Sequence, residues 1–203
     1  MALTMVHLLV AERWAQAHPE LHDCPEFYLG AISPDALHVR FKDDKSRKNE
    51  FHLNNWITPH PDDVAAYWQD HRTPFDIGYG VHVLTDGQWV PRYKQCFPEL
   101  LLPNGLVDTA TYYNDTFVTD FALYNRLPWS KTGFEMLKKA VPPTDHPLLT
   151  YEEFDIWRSD MIKTYAGECP MNKPVQYINE DYVLVFSEDS IHMIEETYRR
   201  VFA

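Results

Sequence analysis

Helical periodicity, interrupted by proline-rich connectors, is the feature that most limits the fold of this 203-residue chain. Apolar residues recur three and four positions apart, as in amphipathic helices, and no segment alternates convincingly between apolar and polar residues as strands do. The pattern predicts helices over residues 3–17, 25–31, 61–72, 108–127, 131–140 and 150–165. Two more are predicted: one starting at Thr73-Pro74 and stopping before Pro91 or Pro98, and one from Asn179 or Ser187 to about Val201. We therefore expect one all-α domain over residues 1–203, a multi-helix bundle without a clear domain boundary.

Local signals mark several of these boundaries. Pro61 is followed by two acids, which is typical of a helix start, and Thr150 with Glu153 has the spacing of a capping box. Ser33-Pro34-Asp35 is predicted to be a turn or a new helix start. Residues 40–50, RFKDDKSRKNE, are predicted to form a charged loop or exposed turn, and the chain returns to the core at 51–56.

Charge and composition exclude several classes of protein. A net charge of -12 argues against a nucleic-acid scaffold or a basic membrane-surface protein. It permits a phosphate-bearing substrate, because a bound divalent metal inverts the local field. The three cysteines form no C-x-x-C pair, so neither a disulfide scaffold nor a zinc ribbon is indicated. The first residues lack a signal-peptide pattern and no apolar run reaches transmembrane length, which makes a cytoplasmic protein the expectation.

Potential metal ligands occur at apolar positions or at element ends. In YGVHVLTDGQWV, His82 and Asp86 are four residues apart and share one face of a helix. A histidine and a carboxylate in this arrangement can bind a divalent metal or can simply bond to each other in the core. His7, Asp35 and His52 occupy comparable positions. Five such groups in a core would each need a hydrogen-bond partner, whereas one divalent ion satisfies several together.

Four segments resemble the zinc-dependent phospholipase C family, whose wider fold group includes the P1/S1-type nucleases. They are VHLLVA with His7, FYLGAISPDALHVR with Asp35, NEFHL with His52, and YGVHVLTDGQW with His82 and Asp86, within about the first ninety residues. The resemblance implies an all-α fold with metals in a cleft between helices. It implies one site built from Asp35, His52, His82 and Asp86, with Asp86 bridging toward a second ion contacted by His7. Such a ligand set suits zinc, and it also admits iron or manganese.

The chain departs from that family in two places. Secreted relatives use the amino terminus of a processed chain as a ligand near the His7 position, whereas this chain begins with Met1 and shows no processing signal. Relatives also place a further histidine and a His-x-x-x-Glu helix soon after the Asp86 position, but residues 87–128 contain no histidine. His192 and Glu196 have the required spacing further along the chain. They either join the site or belong to an ordinary amphipathic helix with a surface histidine.

For each of several other polar residues, the sequence allows two interpretations. Asp120 lies in an apolar helical stretch and is either an inward ligand, base or supporting partner, or a solvated acid. Arg40, Lys45, Arg47 and Lys48 form a basic cluster between two proposed ligands, which either grips a phosphate or is a solvated loop.

These observations predict a metal-dependent hydrolase of a small phosphoester or phospholipid-like substrate, with one or two zinc ions. Asp35 or Asp86 would orient or deprotonate water, Asp120 could assist as a base, and Arg40 would offset charge on the phosphate. One alternative is an HD-type nucleotide phosphohydrolase, although the His22-Asp23 dipeptide lies in a predicted loop before Pro25. The other is a metal-binding protein that has the fold but no catalytic activity.

Overall fold

The computed structural model describes residues 2–42 and 44–202, and these residues form an all-α structure. This confirms the predicted fold class. The described residues contain eleven α-helices: α1 (Thr4–Ala15), α2 (Pro19–His22), α3 (Pro25–Gly30), α4 (Leu37–Phe41), α5 (Lys48–Phe51), α6 (Pro61–Asp70), α7 (Pro74–Cys96), α8 (Thr109–Arg126), α9 (Pro128–Lys139), α10 (Tyr151–Ala166) and α11 (Glu180–Phe202). Two 3-10 turns (Ser33–Ala36 and Pro98–Leu100) and one isolated bridge between Leu101 and Val107 complete the regular structure of those residues.

Most predicted helices are found, within a few residues of the expected ends. The helix α7 continues through Pro91 and stops before Pro98, so the later of the two predicted ends is correct. Burial of Trp89, Val90 and Tyr93 explains why the helix continues, since packing of an apolar face outweighs the lost backbone hydrogen bond. The C-terminal helix begins after Asn179 rather than at Ser187.

The prediction of a loop over residues 40–50 is only partly correct. The helix α4 ends at Phe41 and α5 begins at Lys48, so both ends of this segment are helical. Asp43 lies outside the described residues. Helices of four or five residues, such as α2, α4 and α5, are too short to produce a periodic apolar pattern, and for that reason the sequence did not indicate them.

The long helix α7 is the central element of the bundle, and it packs against α1, α3, α6 and α11. Its contact with α3 is unusually close because two glycines face each other's helix. A Cβ atom on Gly30 would lie 2.0 Å from the carbonyl oxygen of Phe75, and one on Gly78 would lie 2.0 Å from the carbonyl oxygen of Phe27. The two backbones can therefore meet only where both side chains are absent. This contact positions the segment that follows α3 beside the middle of α7.

The helix α10 covers the segment that connects α3 to α4. The indole N–H of Trp157 donates to the carbonyl oxygen of Ile32 at 2.8 Å. Arg40 of α4 makes a bidentate pair with Glu153, with both N–O distances at 2.6 Å. Glu153 also accepts from the backbone N–H of Thr150 at 2.8 Å, which confirms the predicted capping box. One carboxylate thus caps α10 and attaches it to α4.

We expect the substitution Glu153→Gln to destabilise the protein by about 1 kcal/mol at neutral pH, and the difference to disappear in acid. Burial raises the pKa of Glu153, but hydrogen bonds from Arg40 and Thr150 lower it by more, so it lies below its ordinary value of 4.5. The ionised carboxylate therefore stabilises the fold above about pH 4.5, and this contribution is lost as the pH falls through the native pKa.

Urea unfolding at a series of pH values measures this effect. Glu152→Gln is the matched control, because Glu152 is exposed in the same helical turn. A difference between Glu153→Gln and wild type that stays constant down to pH 3 would contradict the assignment.

No helix within the described residues combines the length and apolar character needed to cross a membrane.

Candidate metal centre

Four side chains that are distant in sequence converge in the core. Asp35 is in the 3-10 turn, His52 follows α5, and His82 and Asp86 are on α7. One ligand atom from each of these residues lies within 4.8 Å of every other, and all four residues are buried. The residues that the sequence predicts for one metal site are therefore next to each other.

Backbone carbonyls fix the tautomer of both histidines. The Nδ1–H of His82 donates to the carbonyl oxygen of Ala31 at 2.8 Å, and that of His52 donates to the carbonyl oxygen of Lys48 at 3.0 Å. Because a carbonyl oxygen can only accept, each Nδ1 carries a proton, and in the neutral form of either ring the Nε2 presents a lone pair. Metal-binding histidines commonly have this arrangement, in which the outer nitrogen bonds to a carbonyl and the inner one is free to coordinate.

The inner atoms of the cluster have no hydrogen-bond partner among the described residues. They are Nε2 of His52, Nε2 of His82 and Oδ2 of Asp86. Nε2 of His52 lies 3.2 Å from Oδ2 of Asp86 and 3.4 Å from Oδ1 of Asp35, and Nε2 of His82 lies 3.9 Å from Oδ2 of Asp86. Buried polar atoms without partners are costly, and a divalent cation between these atoms would satisfy them together. The donor set therefore fits a metal ion.

The protonation states also suit metal binding. Burial lowers the pKa of His82, and neighbouring His7 lowers it further, which keeps the imidazole neutral. Burial raises the pKa of Asp35 and of Asp86. The Lys48 ammonium is the largest influence that opposes burial at Asp35, and the pKa values of Asp35 and Asp86 both lie well below the ordinary range. The neutral imidazole of His82 and the ionised carboxylates are in the forms that bind a divalent ion.

Lys48 is a buried cation at the edge of the cluster. Its Nζ lies 2.7 Å from Oδ1 of Asp35, and its side chain is 0% exposed. The sequence analysis assigned Lys48 to a basic cluster that either binds phosphate or forms a solvated loop. For Lys48 the prediction of a solvated side chain is wrong. Its neighbours in the local sequence KSRKNE are polar or charged, so nothing in the sequence indicated that Lys48 is buried.

The other basic residues of that segment lie in different environments. Arg40 is paired with Glu153, and Arg47 is paired with Glu50 at 2.5 Å. Lys45 is exposed and donates to the hydroxyl of Tyr113 at 2.9 Å. The guanidinium of Arg40, predicted to offset charge on phosphate, is thus engaged in a structural ion pair that links α4 and α10.

His7 lies beside the four-residue cluster rather than within it. Its ring stacks on that of His82 with centroids 3.7 Å apart, and its Nε2 lies 3.5 Å from Oδ1 of Asp86. The same Oδ1 accepts from the backbone N–H of Ala2 at 2.9 Å. Neither ring nitrogen of His7 has a hydrogen-bond partner in the described part of the chain. Met1, the first residue of the sequence, lies outside the described residues.

Asp120 is an inward-facing acid rather than a solvated one. It is 1% exposed and accepts from the backbone N–H of Met5 at 2.9 Å and from the hydroxyl of Tyr165. Burial raises the pKa of Asp120 to about 6, although these hydrogen bonds oppose the rise. The inward position of Asp120 was one of two interpretations that the sequence left open, whereas its partner Tyr165 was not indicated.

His192 and Glu196 lie away from the cluster. Both side chains are exposed on α11, whereas the four ligands are buried. The structure therefore agrees with the reading of an amphipathic helix that carries a surface histidine.

A rigid turn holds His52 in place. Leu53 and Asn54 have φ values of 47° and 61°, in the left-handed region that leucine rarely adopts. The side chain of Asn55 accepts from the N–H of His60 at 2.6 Å and donates to the carbonyl oxygen of Leu53 at 2.6 Å. These bonds close the turn that follows His52 in the chain.

Comparison of the chain with protein-family models, curated proteins and solved structures found no match.

Proposed function

We propose that the protein is a metal-dependent hydrolase of phosphoesters. The observation that supports this proposal best is the convergence of Asp35, His52, His82 and Asp86 within 4.8 Å, with inner atoms that lack other partners. The order and local sequences of the four ligand segments support a phospholipase C or P1 nuclease type of all-α fold. The same pattern makes zinc the first choice of ion and leaves iron and manganese as others.

The chemistry would be divided between the ion and the chain's own groups. When bound, a divalent ion supplies Lewis-acid activation of water and of a phosphoryl oxygen. Asp35 and Asp86 are ionised and buried, so they supply the negative charge of the site, and either can orient a water molecule by accepting a hydrogen bond from it. Asp120 has a pKa of about 6, near the range in which a carboxyl can accept and release a proton at neutral pH. The hypothesis assigns it a supporting role through the His7 side of the cluster.

A second candidate is a metal-stabilised binding protein without turnover. Full burial of four protein ligands favours it, because structural zinc sites are closed by four protein ligands and catalytic sites keep an open position. The HD-type phosphohydrolase has no comparable support. His22 and Asp23 lie at the end of α2, where His22 pairs with Glu12 at 3.3 Å.

Reconstitution tests the two candidates against each other. Protein stripped with a chelator and reloaded with zinc, manganese or iron is assayed on a chromogenic phosphomonoester and a phosphodiester. The hydrolase proposal expects turnover that returns in proportion to bound metal. Stoichiometric metal binding with no turnover on either substrate would favour the binding protein, and no metal binding would remove both.

A further inference from the structure

A pocket beside the metal cluster combines lysines with aromatic rings. It has a volume of about 180 Å³. We name it the lysine pocket and define it by six of its lining residues: Lys45, Lys48, Lys94, Trp56, Tyr112 and Tyr113. We propose that it binds the phosphate group of a small phosphoester, an inference that rests on the proposed function.

The lining of the lysine pocket is positively charged. The exposed Lys45 and Lys94 line the pocket, and no carboxylate does among the described residues, although the whole chain has a net charge of -12. Lys48 lines it as well, but its ammonium is buried against Asp35. Lys45 and Lys94 are exposed, and neither forms an ion pair with a carboxylate in the described ranges. A concentration of positive charge in an acidic protein attracts anions locally and repels them elsewhere.

The lysine pocket adjoins the metal cluster. Lys48 lines the pocket and also contacts Asp35 at 2.7 Å. Tyr112 lines it too, and its hydroxyl accepts from the indole N–H of Trp89 at 2.8 Å. Trp89 and the cluster ligand Asp86 lie on the same helix α7, so this hydrogen bond ties the pocket wall to the helix that carries two of the ligands. The pocket and the ligand cluster therefore share Lys48 as a common neighbour.

Size and lining indicate the class of ligand. A volume of about 180 Å³ lies below the range of about 300–1,000 Å³ that is typical of pockets for drug-sized ligands, so the pocket suits a small molecule. Trp56 and the exposed side chain of Ile57 also line it and offer an apolar surface for a short organic group. The ligand we infer is a small phosphoester rather than a nucleotide or a long polyanion.

Charge reversal outside the cluster tests this assignment. The double variant Lys45→Glu/Lys94→Glu changes two exposed pocket lysines and leaves Lys48 and the four ligands intact. Lys139→Glu is the control, since Lys139 is exposed on α9 and does not line the pocket. Inorganic phosphate is the probe, and its dissociation constant is measured by NMR titration of the protein as purified. We expect wild type and Lys139→Glu to agree within about twofold, and the double variant to bind at least tenfold more weakly.

Two further readouts separate this inference from the proposed function. If the protein hydrolyses a phosphoester, the double variant should raise KM by at least tenfold and leave metal content unchanged. Phosphate binding that depends on the two lysines in a protein without turnover would support the pocket and reject the hydrolase. The pocket assignment would be overturned if all three proteins had the same phosphate affinity and the same KM. It would also be overturned if wild type did not bind phosphate, whether or not turnover is found.

Discussion

Replacing His82 with alanine should lower zinc affinity at least about 100-fold and reduce phosphoester hydrolysis to background. Changes in residues that only support a metal ligand already cost 10- to 100-fold in affinity, so loss of a ligand should cost more. The substitution removes an Nε2 that lies 3.9 Å from Oδ2 of Asp86 and the Nδ1–H that donates to Ala31. It also removes the ring on which His7 stacks.

Competition with a chromogenic chelator measures the affinity, and turnover is followed on the same preparation. His192→Ala is the control, because it removes an exposed histidine that is not part of the cluster. Circular dichroism of each variant checks that the helices are retained. Wild-type zinc affinity in a folded His82→Ala variant would rule out His82 as a ligand.

The second large effect is on stability, and we expect Gly78→Ala to destabilise the protein by about 2 kcal/mol or more. The helical preference of alanine over glycine would contribute about 1 kcal/mol in the opposite direction. However, the new Cβ would lie 2.0 Å from the carbonyl oxygen of Phe27, and a backbone atom cannot move aside as a flexible side chain can. The helices α3 and α7 must separate, and overpacking of this kind costs about 1–3 kcal/mol or more.

Separation of these helices should also weaken the metal centre. Gly78 is one helical turn before His82, and the carbonyl that orients the His82 ring belongs to Ala31, directly after Gly30. Urea unfolding gives the stability, with Gly167→Ala as the matched control. A Cβ on Gly167 would approach other atoms no closer than 3.4 Å, so that variant should stay within about 0.5 kcal/mol of wild type. Equal stability of the two variants would contradict the close-contact argument.

Local patterns in the sequence were sufficient to predict the longer helices, and the resemblance of four segments to a known family supplied the members of the cluster. Helical spacing put His82 and Asp86 on one face, and the resemblance to phospholipase C segments implied that Asp35 and His52 join them. The capping box at Thr150 was readable because both of its partners are within four residues. Such features depend on neighbours in the chain, and these are what a single sequence displays.

Features that depend on distant contacts were not readable. Arg40 pairs with Glu153, which is 113 residues away, and no local pattern links the two. The burial of Lys48 follows from the way α5 packs rather than from its charged neighbours. For Asp120, the inward and solvated readings could be separated only once Tyr165 of α10 was placed beside it.

An anomalous difference map from zinc-soaked crystals of the protein tests the central claim most directly. The account predicts one strong peak among Asp35, His52, His82 and Asp86, with both Nε2 atoms at about 2.0–2.1 Å from it. A peak at another site, such as the exposed His192, with none in the buried cluster would contradict the account.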